Sequence, residues 1–185
     1  MPRAGLSTPA VVDAALEILD AYGPNGVTLA AVAARSGVAT PSLYKHVAGL
    51  GELRTLVALR VIDEMTERFT AAIIGYAGDD AVTALLHAYR AYVTQHPARY
   101  AIVPLDPLSE PALQAAARRQ LDLFVAGLAA YGLTGAAAIH AIRCLRAMAH
   151  GFTSLEVGGG FGLSENIDQT YDQLIRVCLA GLFHT

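Results

Sequence analysis

"GVATPSLYKHV", Gly37–Val47, is the stretch that decides how this chain is read. Glycine accepts the positive φ of a tight bend without steric cost, and a threonine followed by proline opens a new helix. Leu43 and Val47, four residues apart, point inward together. Ser42, Lys45 and His46 are thereby turned outward, with Thr40 and Pro41 at the exposed N-terminal end and Tyr44 on the flank. Just upstream, Thr28 caps a short helix that runs to Arg35 and closes at Gly37. Two short helices joined through glycine make a helix-turn-helix. Its second helix suits a DNA major groove, offering hydroxyls and an imidazole to base edges, proline and tyrosine rings to thymine methyls, and Lys45 to phosphate. Thr28, at a helix N-terminus, adds a phosphate contact.

Working outward, Thr8 before Pro9 predicts a helix start, and Val12, Ala15, Leu16 and Leu19 recur at helical spacing until "YGPNG" stops the run. Beyond Gly51 a longer helix carries Ala58, Val61, Ile62, Met65 and Phe69 on one face. The next has Val82, Leu85, Leu86, Tyr89, Val93 and His96 in register and is cut by Pro97. After the loop "LDPLSEP" a helix with Leu121, Phe124, Val125 and Leu128 leads to "YGLTG", and two long helices follow over about 135–157 and 165–183. No strand pattern, repeat or low-complexity tract interrupts them. The expectation is an all-α fold of about nine helices, with a helix-turn-helix domain over 1–50 and a helical regulatory domain over 51–185.

Composition narrows the function classes. At 185 residues the chain is long enough for a substantial core, and although 54% of it is hydrophobic, no uncharged apolar run reaches the roughly 20 residues of a membrane span. The N-terminus lacks the apolar stretch of a secretory signal, and Cys144 and Cys178 form no short metal-binding spacing, which together point to a reducing cytoplasm. Net charge is −3. Residues 1–60 hold Arg3, Arg35, Lys45, Arg54 and Arg60 against Asp13, Glu17, Asp20 and Glu52, so charge permits DNA binding without advertising it.

The run "VVDAALEILDAYGPNGVTLAAVAARSGVATPSLYKHVAGLGELRTLVALRV" resembles the N-terminal domain of TetR-family transcriptional regulators over about fifty continuous residues. The alanine pair of the first helix, Gly26 then Thr28, Ala33, Gly37, Leu43-Tyr44 and His46 fall in that family's order. "HPARY" and "MAHGFTSLE" look like the subgroup with HP-x-x-Y and a late HG, although Arg146 stands near the place of its usual tryptophan. Two further departures are Leu50, where members commonly have a phosphate-contacting lysine, and Ala30, where several have an arginine. The resemblance implies a homodimeric regulator, a repressor that binds a palindromic operator in double-stranded DNA and is released by a small-molecule effector.

The second half is read for effector and partner. Tyr89, Tyr92, His96, Tyr100, Phe124, Leu128, Met148 and Phe152 hold most of the middle region's aromatics and suit a small apolar or aromatic ligand, with Arg143 on a polar stripe beside Arg146 and His150. Tyr171, Leu174, Ile175, Cys178, Leu179 and Leu182 repeat at 0, 3, 4, 7, 8 and 11, an apolar stripe that with Ile142 needs cover from elsewhere in the chain or from a second copy; the resemblance implies the latter, a dimer interface. His140 and Cys144 make half a metal site with no further ligands in sequence, "GGGFG" follows no strand and reads as a connector, and no nucleophile-base arrangement appears. No catalytic residue, metal or cofactor is expected. The competing reading is a small-molecule-binding helical protein, or an enzyme, that keeps the three-helix unit as scaffold.

Overall fold

The computed structural model describes residues 6–183. Among them are eight α-helices, three short 3₁₀ helices and no strand, so the all-α expectation holds. The chain forms two compact units: one comprises residues up to Asp63 together with His96–Ala117, the other Glu64–Gln95 together with residues from Arg118 onward.

The first unit opens with α1, Thr8–Tyr22. Its cap is Ser7, not Thr8: Ser7 has the extended backbone a cap needs, and its side chain accepts from the Ala10 N–H at 3.4 Å. Thr8 is already helical, and its hydroxyl instead donates to the His46 carbonyl at 3.2 Å. Gly23, at φ 71°, ends the helix, and Pro24–Gly26 forms a 3₁₀ turn. Gly26 is required there, since a Cβ would come 2.5 Å from the Cβ of Tyr22. α2, Leu29–Arg35, is capped by Thr28, whose hydroxyl accepts from the Ala31 N–H at 3.1 Å. It ends in a Schellman motif: the Val38 N–H reaches the Ala33 carbonyl at 3.0 Å and the Gly37 N–H the Ala34 carbonyl at 3.1 Å, with Gly37 at φ 68°.

The next helix, Thr40–Lys45, is 3₁₀ rather than α. α3, Leu50–Ile73, follows, its start secured by the Glu52 carboxylate accepting from the Ala48 N–H. The core around these elements is made by Val11, Ala15, Leu19, Val27, Val32, Leu43, Val47, Leu53 and Val57, each at most 2% exposed. A second cluster joins Ala58 and Ile62 to Leu113 and Ala116. The short helix α5, Pro97–Ile102, packs on α1 and on the 3₁₀ turn.

In the second unit α4, Gly78–Gln95, packs against α7, Gly135–Val157, and α8, Ile167–Phe183; α6, Gln114–Gly127, precedes α7 in the chain. Val82, Leu86, Leu145, Phe152, Tyr171, Ile175 and Leu179 form its core. One polar cluster sits in it. Arg90 of α4 meets Glu156 of α7 through two hydrogen bonds of 2.7 and 2.6 Å, meets Asp168 of α8 at 2.8 Å, and lies over the rings of Phe152 and Tyr171. The Glu156 hydrogen bond, working against burial, holds this guanidinium above its ordinary pKa. The Tyr171 hydroxyl donates to the Leu86 carbonyl at 2.9 Å, and burial pushes the phenol up.

Candidate nucleic-acid interface

The helix Thr40–Lys45 holds six residues, and what makes it short also makes it presentable. Pro41 in its first turn lacks an N–H and fixes φ, which suits a tight 3₁₀ start on Ala39 with no side-chain cap. Leu43 at 0% and Val47 at 2% exposure anchor it. Pro41, Tyr44 and Lys45 are exposed, Tyr44 at 58%, while Thr40, Ser42 and His46 are half-buried. Thr28 is exposed at the start of α2, its hydroxyl accepting from the Ala31 N–H as cap and its carbonyl from the Val32 N–H at 3.0 Å. All seven sequence-derived DNA residues thus lie in one compact unit, with at least part of each side chain accessible.

Electrostatics sort the cations of this unit. α1 carries Asp13, Glu17 and Asp20 on its outer side, and each takes an arginine: Arg60 of α3 at 3.0 Å, Arg35 of α2, and Arg99 of α5 at 2.6 Å. Lys45 and Arg54 are exposed and stand outside every ion pair among the described residues; Arg3 lies outside those residues. The exposed positive charge of this unit outside those pairs is therefore concentrated where the helix Thr40–Lys45 ends and α3 begins.

The residues assigned to an effector are divided between the two compact units. Tyr89 and Phe124 flank Phe69 of α3, with ring centroids 6.2 and 5.8 Å away. Tyr92 is fully buried, hydrogen-bonded through its hydroxyl to Glu64 at 3.1 Å, with Arg68 over its ring at 5.0 Å. Leu128, Met148 and Phe152 belong to the core shared by α4, α7 and α8. His96 and Tyr100 fall in the other compact unit. Arg143 is exposed, two residues from buried Leu145 and so on the far side of α7 from it, which takes it away from the aromatic face.

Two family models match: "Bacterial regulatory proteins, tetR family" over residues 11–46, and "Tetracyclin repressor-like, C-terminal domain" over residues 82–178. The HTH-type transcriptional regulator Rv0681 of Mycobacterium tuberculosis is 39% identical over 158 residues, covering 84% of this chain and 72% of that protein. The HTH-type transcriptional regulator YobS of Bacillus subtilis is 34% identical over 182 residues, 98% of this chain and 95% of its own. The chain belongs to the TetR family. It is a helix-turn-helix transcriptional regulator, and the relatives it matches are regulators and not enzymes. Among solved structures, TetR-Q116A from Acinetobacter baumannii in complex with minocycline has the same fold, with a TM-score of 0.72, 21% identity and 96% of both chains covered.

TetR-family proteins bind DNA and dimerise, and the burial pattern revises which residues of this TetR-family chain are open to a partner. Tyr171, Ile175 and Leu179 are turned into the protomer's own core, at 0, 2 and 6% exposure, so their periodicity marks the inward stripe of α8 and not an outer surface. Ile142, Leu174, Cys178 and Leu182 are half-buried at its margin. The outward side, missed in the sequence, carries small and uncharged residues, Ala137, His140, Cys144, Ala147, Gly151 and Leu155 on α7 and Thr170, Val177 and Gly181 on α8, all exposed, beside the exposed Arg143, Arg146 and Arg176. A search for apolar periodicity passes over such a face because alanine, glycine and threonine contribute little to it. The contacts of Thr8, Glu64, Arg68 and Phe69 escaped for another reason: their partners are distant in the chain, and spacing carries no trace of them.

Proposed function

We propose that this protein is a homodimeric, cytoplasmic repressor that holds a palindromic operator with two reading helices and releases it when a small apolar or aromatic molecule binds its regulatory half. Residues 1–50 supply the DNA contacts and residues 51–185 the response and the dimer. The observation that carries the reading is the reading helix itself: anchored by Leu43 and Val47, it turns Pro41, Tyr44 and Lys45 to solvent beside the partly open Thr40, Ser42 and His46. Lys45 is a phosphate contact, Ser42, Thr40 and His46 reach base edges, and Tyr44 and Pro41 meet thymine methyls. Paired through α7 and α8, two copies would set their reading helices about 34 Å apart, one turn of DNA.

For the effector, the group supporting the reading best is Phe69 between Tyr89 and Phe124, with the Tyr92–Glu64 hydrogen bond joining the same two helices, α3 and α4. It offers aromatic walls with one polar group, the composition of a small-molecule site. The family's repressor-like C-terminal domain and the minocycline complex of the Acinetobacter protein support a ligand-released repressor. The ligand favours a conformer in which α3 is tilted and the half-sites no longer match; a differential affinity of a few kcal/mol between conformers is enough for tenfold release.

The test is selection of bound duplexes from a random DNA pool. A recovered palindrome with half-sites about one turn apart is the expected result; no enrichment at low salt would refute DNA reading and favour a ligand-binding or catalytic protein on the same scaffold. Lys45→Ala should stay a folded dimer and lose about tenfold per occupied pair of half-sites at moderate salt, with a shallower salt dependence, because two phosphate neutralisations are removed from the dimer. Unchanged binding in a mobility-shift assay would remove this surface from the interface.

A further inference from the structure

α1 is fastened at both ends, and the two fastenings lead to different places. Near its start the Thr8 hydroxyl donates to the carbonyl of His46, the residue that closes the reading helix. Near its finish Asp20 receives the Arg99 guanidinium on both carboxylate oxygens, Nε at 2.9 and 3.2 Å and Nη2 at 2.6 Å. From residue 8 to residue 20 is about 18 Å of helix at 1.5 Å per residue. Along that length Val11, Ala15, Leu16 and Leu19 are packed in the core, while Asp13 and Glu17 hold Arg60 and Arg35. A helix so packed moves as a rod, since close-packed side chains transmit displacement instead of absorbing it.

Arg99 belongs to α5, and α5 is the segment into which α4 runs: only His96 separates Gln95 from Pro97. α4 carries Tyr89 and Tyr92. The Arg99 side chain is 19% exposed and Asp20 38%, so the pair is oriented and partly shielded, unlike the freely moving ion pairs of an open surface.

We propose that Arg99 and Asp20 are positioning residues for the reading helix: their pair seats α5 on the far end of α1, and α1 carries that position through Thr8 to His46. This rests on the DNA-reading function proposed above.

The experiment uses the palindrome selected by the wild-type protein and a scrambled duplex of the same length. Asp20→Asn, Arg99→Gln, their double variant and Thr8→Val are measured for affinity to both duplexes, with circular dichroism and melting temperature alongside. The expected result is a loss of about fivefold on the palindrome for each single variant, a double variant no worse than either single, and unchanged affinity for the scrambled duplex. Thr8→Val combined with Arg99→Gln should likewise be no worse than either alone. A purely structural pair would lower the melting temperature and leave palindrome affinity untouched, and that outcome overturns the proposal. So would equal losses on both duplexes, or losses that multiply in the double variants. Failure of the wild-type protein to select any duplex is a different result: it defeats DNA reading itself and is known before a variant is made.

Discussion

Gly26 shows how one atom constrains the reading unit. The turn of Pro24–Gly26 folds back so closely on α1 that a methyl group at residue 26 would lie 2.5 Å from the Tyr22 Cβ. Neither group is a flexible chain end, so Gly26→Ala must shift the turn. The expected cost is about 1–3 kcal/mol, read as a lower melting temperature; a variant melting with the wild type would show that the turn has room the structure denies. Thr8 makes a complementary point. Its place before Pro9 has the look of a cap, yet the chain enters the helix one residue earlier, and the hydroxyl is released for a contact 38 residues away. Local chemistry identifies a residue suited to capping; where the backbone turns helical determines which of two adjacent hydroxyls serves.

At the level of elements, α4, α7 and α8 are joined by an ion cluster that no periodicity announces. Arg90 and Glu156 are only 12% and 18% exposed, so removal of the cation strands a covered carboxylate. Arg90→Ala is expected to destabilise the protein by about 3 kcal/mol, seen in urea unfolding, and Arg90→Lys to recover only part because an ammonium cannot make the paired contact. The Tyr171 phenol beside it gives a pH signature. Burial raises its folded pKa above the ordinary value of about 10, so its contribution to stability is complete below that pH and is lost as pH rises through the folded value. Stability should therefore fall above pH 10 by up to about 1.4 kcal/mol per pH unit, and Tyr171→Phe should flatten that fall while losing the hydrogen bond to Leu86. Tyr131, raised by burial and by its hydrogen bond to Asp79, acts in the same direction. An alkaline limb unaltered in Tyr171→Phe would assign the fall to other groups.

For the whole molecule the decisive question is which face meets a second copy. No single helix among the described residues is long and apolar enough to cross a membrane. Val177, 61% exposed on α8, is the sensitive position. Val177→Asp should leave helicity intact, shift the protein to monomer in sedimentation, and abolish tight operator binding, since one reading helix alone gains no second half-site. A stable dimer with Asp at 177 would move the interface elsewhere.

The helices and their order were legible in the residues alone, because turn chemistry and 3.6-residue spacing are local: Thr28, Gly37 with its positive φ, and the Leu43–Val47 anchor all do what their neighbours in sequence imply. The family likeness was legible for the same reason, its marks being a cap, a turn and a short helix in succession. The sequence by itself thus determined an all-helical chain with a short helix near residue 40. Only the tertiary structure decided that this helix is 3₁₀, that Tyr171, Ile175 and Leu179 face inward, that Arg143 faces away from the aromatic face, and that Arg99 is fastened to Asp20. Each of those depends on which surface of one element another element covers, and a buried stripe and an exposed one have the same spacing until something packs against them.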